Sequence, residues 1–140
     1  MKDKYFIDTN VFVYSFDQKD DDKRRKSNEL IKNALLNHNG CISSQVIQEF
    51  INVATRKFIS PMSIQDCEKY LKNVLSPLCQ VFTSLELYHK ALDIMERWQF
   101  SLYDSLIIAA SLQADCKFLY SEDLQHKQKI QSLTIVNPFL

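Results

Sequence analysis

Short apolar runs recur along the chain, and longer amphipathic stretches fill the gaps between them. Tyr5-Phe6-Ile7 is the first run and ends at Asp8; Cys41-Ile42-Ser43, Val81-Phe82, residues 117–120 and Thr134-Ile135-Val136 follow. Runs this short, without polar alternation, have the pattern of strands buried on both faces. Residues 11–16 predict one or two helical turns. In the charge run from Lys19 to Lys26 the acids precede the bases, which suits the start of a helix reaching about Asn37. Gly40, the only glycine, follows Asn39 and reads as a helix C-cap signal. Ser44 reads as the next N-cap, with Ile47, Phe50, Ile51, Ala54 and Phe58 forming a core stripe at the helical period. Ser63-x-x-Asp66, Thr83-x-x-Glu86 and Ser101-x-x-Asp104 resemble capping boxes. Pro77 is expected to close the first of these helices, Trp98 lies near the end of the second, and the apolar residues 106–110 make the third a buried helix. A short helical stretch is expected from Asp123.

Strands alternating with helices imply an α/β fold, a mainly parallel sheet covered on both faces. The 140 residues suit one domain spanning 1–140, and no repeat, linker or low-complexity segment interrupts them. Seventeen basic and seventeen acidic residues give a net charge of zero. That argues against a protein that coats nucleic acid non-specifically, but leaves room for an acidic pocket offset by a basic rim. Cys41, Cys67, Cys79 and Cys116 have no zinc-ligand spacing and read as reduced thiols, Cys41 and Cys116 as small buried hydrophobes. Met1-Lys2-Asp3-Lys4 runs straight into a strand-like segment, and no apolar run spans a bilayer, so a cytoplasmic protein without signal peptide or membrane segment is expected.

Four acids change the picture. In open α/β sheets ligands gather beyond the carboxyl ends of the strands. Asp8 and Asp123 follow strands closely, while Glu49 and Asp104 lie in the opening turns of helices that start on the same edge. Singly, Asp104 reads as part of a cap, Asp123 as a first-turn acid and Glu49 as a solvated side chain; Asp8, followed by Thr9 and Asn10, has no clear structural role. Crowded carboxylates raise one another's pKa values unless a cation neutralises them, and a hard ion such as Mg²⁺ or Mn²⁺ suits an all-oxygen set.

These residues resemble the PIN-domain nucleases, which include the toxins of many prokaryotic toxin–antitoxin pairs. Phe6-Ile7-Asp8-Thr9-Asn10-Val11 looks like that family's opening strand with its first acid, and Gln48-Glu49-Phe50 like the second acidic position. Tyr103-Asp104-Ser105-Leu106 with the apolar helix behind it is similar to the third, and Leu119-Tyr120-Ser121-Glu122-Asp123 to the fourth. Each motif is weakly specific alone; four in order are not. The resemblance implies a three-layer α/β/α fold around five mainly parallel strands. It also implies a Mg²⁺- or Mn²⁺-dependent endoribonuclease, often homodimeric, with Asp8, Asp104 and Asp123 as ligands and Glu49 binding directly or through water. Asn10 and Ser121 are the candidates for orienting a carboxylate or holding a phosphate oxygen. The fourth motif departs from the commonest toxin pattern, because Leu124-Gln125-His126 stands where a second Asp and an aromatic residue often follow. This points to a different branch, with or without an antitoxin partner.

Other features stay open between a functional and a structural reading. Arg56-Lys57 and residues 23–26 are candidate RNA-backbone contacts or solvated helix residues. His126 is the one histidine near an acid motif. Tyr14, Tyr103, Tyr120 and Trp98 suit base stacking or the core, and Tyr70, Leu71 and Val74 suit the core by default or a dimer face. A phosphotransferase of another α/β type would want a second Asp where Asn10 stands, and one glycine cannot build a phosphate loop. The remaining alternative is a catalytically weak module of the same fold that binds RNA or a protein.

Overall fold

The computed structural model describes residues 3–140, so the expectation for Met1 and Lys2 lies outside the described residues. In chain order they form β1 (Tyr5–Ile7), α1 (Thr9–Tyr14), α2 (Asp21–Asn37), β2 (Gly40–Ser43), α3 (Ser44–Arg56) and α4 (Ile64–Tyr70). A π-helical segment (Leu71–Leu75), α5 (Ser76–Leu78), β3 (Cys79–Val81), α6 (Leu85–Trp98) and α7 (Leu102–Gln113) come next, then β4 (Phe118–Tyr120), β5 (Lys129–Ile130) and β6 (Leu133–Val136). The sheet order is β3-β2-β1-β4-β6-β5, parallel from β3 through β6, with only β5 antiparallel.

The chain therefore steps outward from β1 through β2 to β3, then returns to place β4 on the other side of β1. Right-handed crossovers put the helices of the outward steps on one face and those of the return on the other. This is the expected three-layer α/β/α fold. Five parallel strands are present as expected; the sixth, β5, pairs back on β6 through a tight turn in which Gln131 adopts φ 54°. The turn carries no Asn-Gly or Gly signal, so the sequence pattern does not announce it.

Sheet side chains Phe6, Ile7, Ile42, Leu119 and Ile135 are fully buried. Residues 106–110 of α7 are buried on every side, as their uniform apolarity predicts, and Ser105 and Ser111 are buried with them. On α3 the deepest stripe is Val46, Phe50 and Ala54, with Ile47, Ile51 and Phe58 half-buried beside it. Tyr70, Leu71 and Val74 pack against the core, which is the default reading of those three. All four cysteines are free, with Cys41 and Cys116 buried.

Several local expectations are corrected. Ser43, not Ser44, occupies the N-cap position of α3, without a side-chain cap bond; the Ser44 hydroxyl accepts from the Thr83 N–H at 3.0 Å and meets its hydroxyl at 3.1 Å. Thr83 being so engaged, Ser84 caps α6 by accepting from the Leu87 N–H. Pro77 does not stop its helix, which continues to Leu78. The π-helical turn just before it widens the backbone where the proline ring would otherwise collide with a carbonyl one turn back. No helix starts at Asp123: Leu124 turns into the core, and the Lys127 N–H donates to the Ile135 carbonyl at 2.8 Å, so these residues form turns along β6.

Gly40 is the most informative correction. The left-handed residue after α2 is His38, at φ 56°, while Gly40 lies in β2 without a positive φ. Its role is space. A Cβ there would meet the Ala34 side chain at 2.4 Å, and the Tyr5 ring at 3.0 Å, so α2 crosses β2 at a spacing only glycine permits. Gly40→Ala should cost roughly 2–3 kcal/mol in urea unfolding. Adding Ala34→Gly should recover part of that loss despite glycine's poor helix propensity; strictly additive losses would show that the close approach is not the cause.

Candidate functional site

The reversal of chain direction in the sheet falls between β1 and β4, where Ile7 and Tyr120 stand side by side. At such a switch point the two strands diverge into connections on opposite faces and leave a crevice at their carboxyl ends. Asp8 follows β1 directly and Ser121 and Asp123 follow β4, so the topology alone brings the first and fourth acidic positions together.

Asp8 is the N-cap of α1. Its backbone N–H donates to the Tyr120 carbonyl at 3.0 Å, tying it to the end of β4. Its carboxylate accepts from the Thr9 N–H at 2.7 Å and from the Ser121 hydroxyl at 2.8 Å. Ser121 is itself fully buried, and its oxygen accepts from the Asp123 N–H at 3.3 Å. One hydroxyl thus links the two acids. Thr9 donates its side-chain hydroxyl to Glu49 at 3.0 Å, while Gln45 reaches both Glu49 at 3.5 Å and the Tyr103 carbonyl at 3.3 Å. Glu49, in the second turn of α3, is thereby joined to Asp8 on one side and to the start of α7 on the other. There Asp104 is the third helical residue and donates its N–H to the Ser101 cap at 3.1 Å.

Burial and mutual repulsion act on these carboxylates together. Asp8 is only 8% exposed, and its carboxyl is pushed up from an ordinary 3.8 to about 6. Burial is the main cause; the Ser121 and Thr9 hydrogen bonds oppose it, and the charges of Glu49 and Asp123 add to it. Burial also raises Glu49, against the Thr9 and Gln45 hydrogen bonds and with the charges of Asp104 and Asp123. Asp123, the most exposed of the four, is raised by burial and then by Asp104 and Glu122. All four acids therefore share one electrostatic neighbourhood. Among the described residues, however, no three His, Cys, Asp or Glu side chains stand close enough together to enclose an ion.

Polar capacity without a partner surrounds them. Both polar atoms of Asn10, and the hydroxyls of Ser43 and Ser105, are buried and make no hydrogen bond. Each lies at the start of a helix on this edge, and such unpaired groups cost roughly 1–3 kcal/mol apiece unless a ligand or water meets them. An all-oxygen donor set in which burial and neighbouring charge raise the Asp8, Glu49 and Asp123 carboxyls, with orphaned amide and hydroxyl groups beside them, fits a hard divalent cation and not zinc.

Tyr14, Lys23 and Glu122 form a clamp beside the site that sequence reasoning passed over. Glu122 accepts from the Tyr14 hydroxyl at 2.8 Å and pairs with Lys23 at 2.9 Å. Lys23 in turn lies 4.4 Å from the Tyr14 ring centre and 5.5 Å from that of Phe139. The clamp fixes the 121–123 turn between α1, α2 and the C-terminal residues; partners 99 and 108 positions apart leave no local signal. It also changes the basic run. Arg24, Arg25 and Lys26 pair with Asp21 and Asp22, so none of residues 23–26 is a free cation. Among the described residues Arg56 and Lys57 make no ion pair. His126 accepts the Asn137 N–H on Nδ1 at 3.0 Å, a structural contact. Of the aromatic candidates, Tyr103 is 67% exposed beside Asp104, whereas Tyr120 packs on Tyr5.

A sizeable cavity lies elsewhere. It holds about 650 Å³ between Phe16, Phe58, Met62, Tyr70 and Val74, and none of the four acids lines it. Carboxylate chemistry at the switch point, not volume, identifies the candidate site.

The sequence matches the family model described as PIN domain over residues 5–129. Among solved structures, the fold is similar to a toxin–antitoxin complex from Klebsiella pneumoniae at 16% identity, covering 96% of this chain and 98% of that one with a TM-score of 0.68. It is also similar to VapC20 of Mycobacterium tuberculosis, described as a Sarcin-Ricin loop cleaving toxin, at 14% identity, 84% and 88% coverage and a TM-score of 0.60. DNA-bound VapBC from Salmonella typhimurium shares 18% identity, with 96% and 97% coverage and a TM-score of 0.63. At these identities the likeness is one of fold. No curated protein matches the sequence.

The raised Asp8 carboxyl makes a signed prediction. An acid whose folded pKa lies above its unfolded value favours folding when protonated, so its contribution is present at low pH and is lost as pH rises from 3.8 through about 6. That interval corresponds to roughly 3 kcal/mol. With chelator present, Asp8→Asn should therefore unfold with a free energy on the order of 1–2 kcal/mol above wild type near pH 8, part of the gain being offset by a lost hydrogen bond. The difference should shrink and reverse sign toward pH 4, where the carboxyl is protonated and only the lost hydrogen bond remains. Equal stability at both pH values would mean that Asp8 is not strained by its charge.

Proposed function

The chain belongs to the PIN-domain family, and from that premise we propose that it is a divalent-metal-dependent endoribonuclease in which Asp8, Glu49, Asp104 and Asp123 make up the reactive site. The observation that carries this reading is the buried link from Ser121 to Asp8 at the sheet's switch point, with Glu49 joined to it through Thr9. Asp8, Asp104 and Asp123 would hold Mg²⁺ or Mn²⁺, with Glu49 as a direct or water-mediated ligand. Such an ion, when bound, activates water near neutral pH and neutralises charge on a phosphodiester.

The chain's own residues prepare that chemistry. Ser121 donates to one Asp8 oxygen and the Thr9 N–H to the other, which fixes the plane of the carboxylate. Thr9 and Gln45 both donate to Oε1 of Glu49 and leave Oε2 without a protein donor. The unpaired Asn10 carboxamide is suited to a phosphate oxygen or to orienting a carboxylate. The raised carboxyls favour a site in which some protons are held until a cation arrives, and Glu49 is then the group best placed to accept a proton from attacking water. Hydrolysis in line would leave 5′ phosphate and 3′ hydroxyl ends.

RNA as substrate is supported by the family and by the fold shared with the Mycobacterium tuberculosis toxin. A toxin role with a small antitoxin partner is supported in the same way by the toxin–antitoxin relatives. Backbone charge would come from Arg56 and Lys57, since residues 23–26 are occupied. A second copy of the chain is a further partner: Leu85, Tyr88 and Leu92 lie on one face of α6 and are 80%, 42% and 56% exposed, unlike Tyr70, Leu71 and Val74. A cytoplasmic site of action is part of the same reading; among the described residues no helix is long and apolar enough to cross a membrane.

One observation favours a second reading. The acids do not enclose an ion in this arrangement, as in a catalytically weak module that binds RNA or a protein. Cleavage of end-labelled RNA separates the two. The nuclease reading expects Mn²⁺-dependent product that chelator abolishes and Asp8→Asn reduces by at least about 100-fold. It also expects Mn²⁺ affinity by calorimetry to fall in Asp104→Ala. Metal-independent RNA binding without product, unchanged by either substitution, would establish the module instead.

A further inference from the structure

Two buried thiols lie on the sheet edge opposite the acids and take no part in the proposed chemistry. Cys41 is the second residue of β2, and Cys116 sits in the turn between α7 and β4, held there by its N–H donating to the Ser111 carbonyl at 3.0 Å. They are 75 residues apart in sequence, yet their sulfurs are 3.4 Å apart in a hydrogen bond, with exposures of 0% and 2%. β2 and β4 flank β1 without pairing with each other, so this contact is a lateral tie across the central strand. Closing it to a disulfide needs the sulfurs to approach from 3.4 Å to about 2.05 Å.

We propose that Cys41 and Cys116 form a redox modification site, converted by hydroperoxides into an intramolecular disulfide that staples β2 to the start of β4. The first step is attack by the Cys41 thiolate on a hydroperoxide: an S–O bond forms, the O–O bond breaks, and the departing oxygen takes a proton and leaves as an alcohol or water. Cys116 then attacks the Cys41 sulfur. The S–S bond forms, the S–O bond breaks, and hydroxide leaves with the Cys116 proton as water. The two sulfurs together lose two electrons, which the peroxide gains.

The choice of oxidant follows from burial. A bulky disulfide such as oxidised glutathione has no access to sulfurs at 0% and 2% exposure, whereas a peroxide of water-like size enters on local opening. The choice of attacking sulfur follows from the pair itself. The Cys116 hydrogen bond holds Cys41 below the ordinary thiol range, with the nearby Lys4 charge acting in the same direction. The same contact and burial hold Cys116 above it. Once made, the bond closes a long loop, which constrains the unfolded chain strongly. It lies at the amino ends of the strands, away from the carboxyl-end acids, so it stabilises the fold and leaves Asp8, Glu49 and Asp123 where they are.

The full chain treated with hydrogen peroxide under native conditions tests this. After alkylation and non-reducing digestion, mass spectrometry should find the Cys41 and Cys116 peptides linked, with the protein two hydrogens lighter. The unfolding temperature should rise by several degrees and return on reduction. Cys116→Ser and Cys41→Ser should each lose both signals while folding at the reduced wild-type temperature. The half-buried Cys79 supplies the internal clock. Linked peptides appearing no later than full oxidation of Cys79 support the site. Cys41 still reduced at that point, ending as sulfinic acid, or joined to Cys79 instead would overturn it.

Discussion

The carboxylate of Asp8 sits almost wholly out of water at the end of the central strand, with two donors to hold it and two like charges in range. Isolated burial of a carboxylate costs far more than one hydrogen bond returns, so such a group either takes up a proton or acquires a cation. Everything near it serves that choice. Ser121 keeps the neighbouring strand's turn on Asp8, Thr9 carries the constraint to Glu49, and Gln45 carries it from Glu49 to the helix that bears Asp104. The crevice is thus a connected set of side chains on four elements, not four acids that happen to share an edge.

The fold supplies the positions of that set by ordinary packing. Parallel strands with fully buried side chains give β1 and β4 a common register, and the register puts residue 8 beside residues 120 and 121. Residues 105–111 of α7 are buried on every side, so the turn before them presents Asp104 from a rigid base. On the other flank, Gly40 lets α2 lie close on β2, and the N-terminal turn of α2 delivers Lys23 to Glu122. Packing far from the crevice therefore sets the turn that carries Asp123.

Much of this was legible in the sequence because it depends on periodicity and adjacency. The strands after Lys4, Gly40 and Cys116, the buried middle of α7, and the shared edge of Asp8, Glu49, Asp104 and Asp123 follow from short apolar runs and from what stands directly after them. What could not be read depends on pairs distant in the chain or on geometry that has no residue code. The Tyr14–Glu122–Lys23 clamp joins three separate segments. Ser44 gives up its capping role to Thr83 across 39 positions, which moves two helix starts by one residue. Pro77 reads as a stop, yet a wider helical turn accommodates it. The glycine at position 40 reads as a turn, but its reason is a helix passing overhead.

The central claim, that a charge-strained Asp8 belongs to one cation site, is tested most directly by counting protons. Calorimetric titration with Mn²⁺ near pH 6, where the Asp8 carboxyl is part-protonated, would be run in two buffers of different ionisation heat. The account predicts saturable binding accompanied by release of a substantial fraction of a proton, with that release lost in Asp8→Asn. Absence of saturable binding, or binding with the same heat in both buffers, would contradict it.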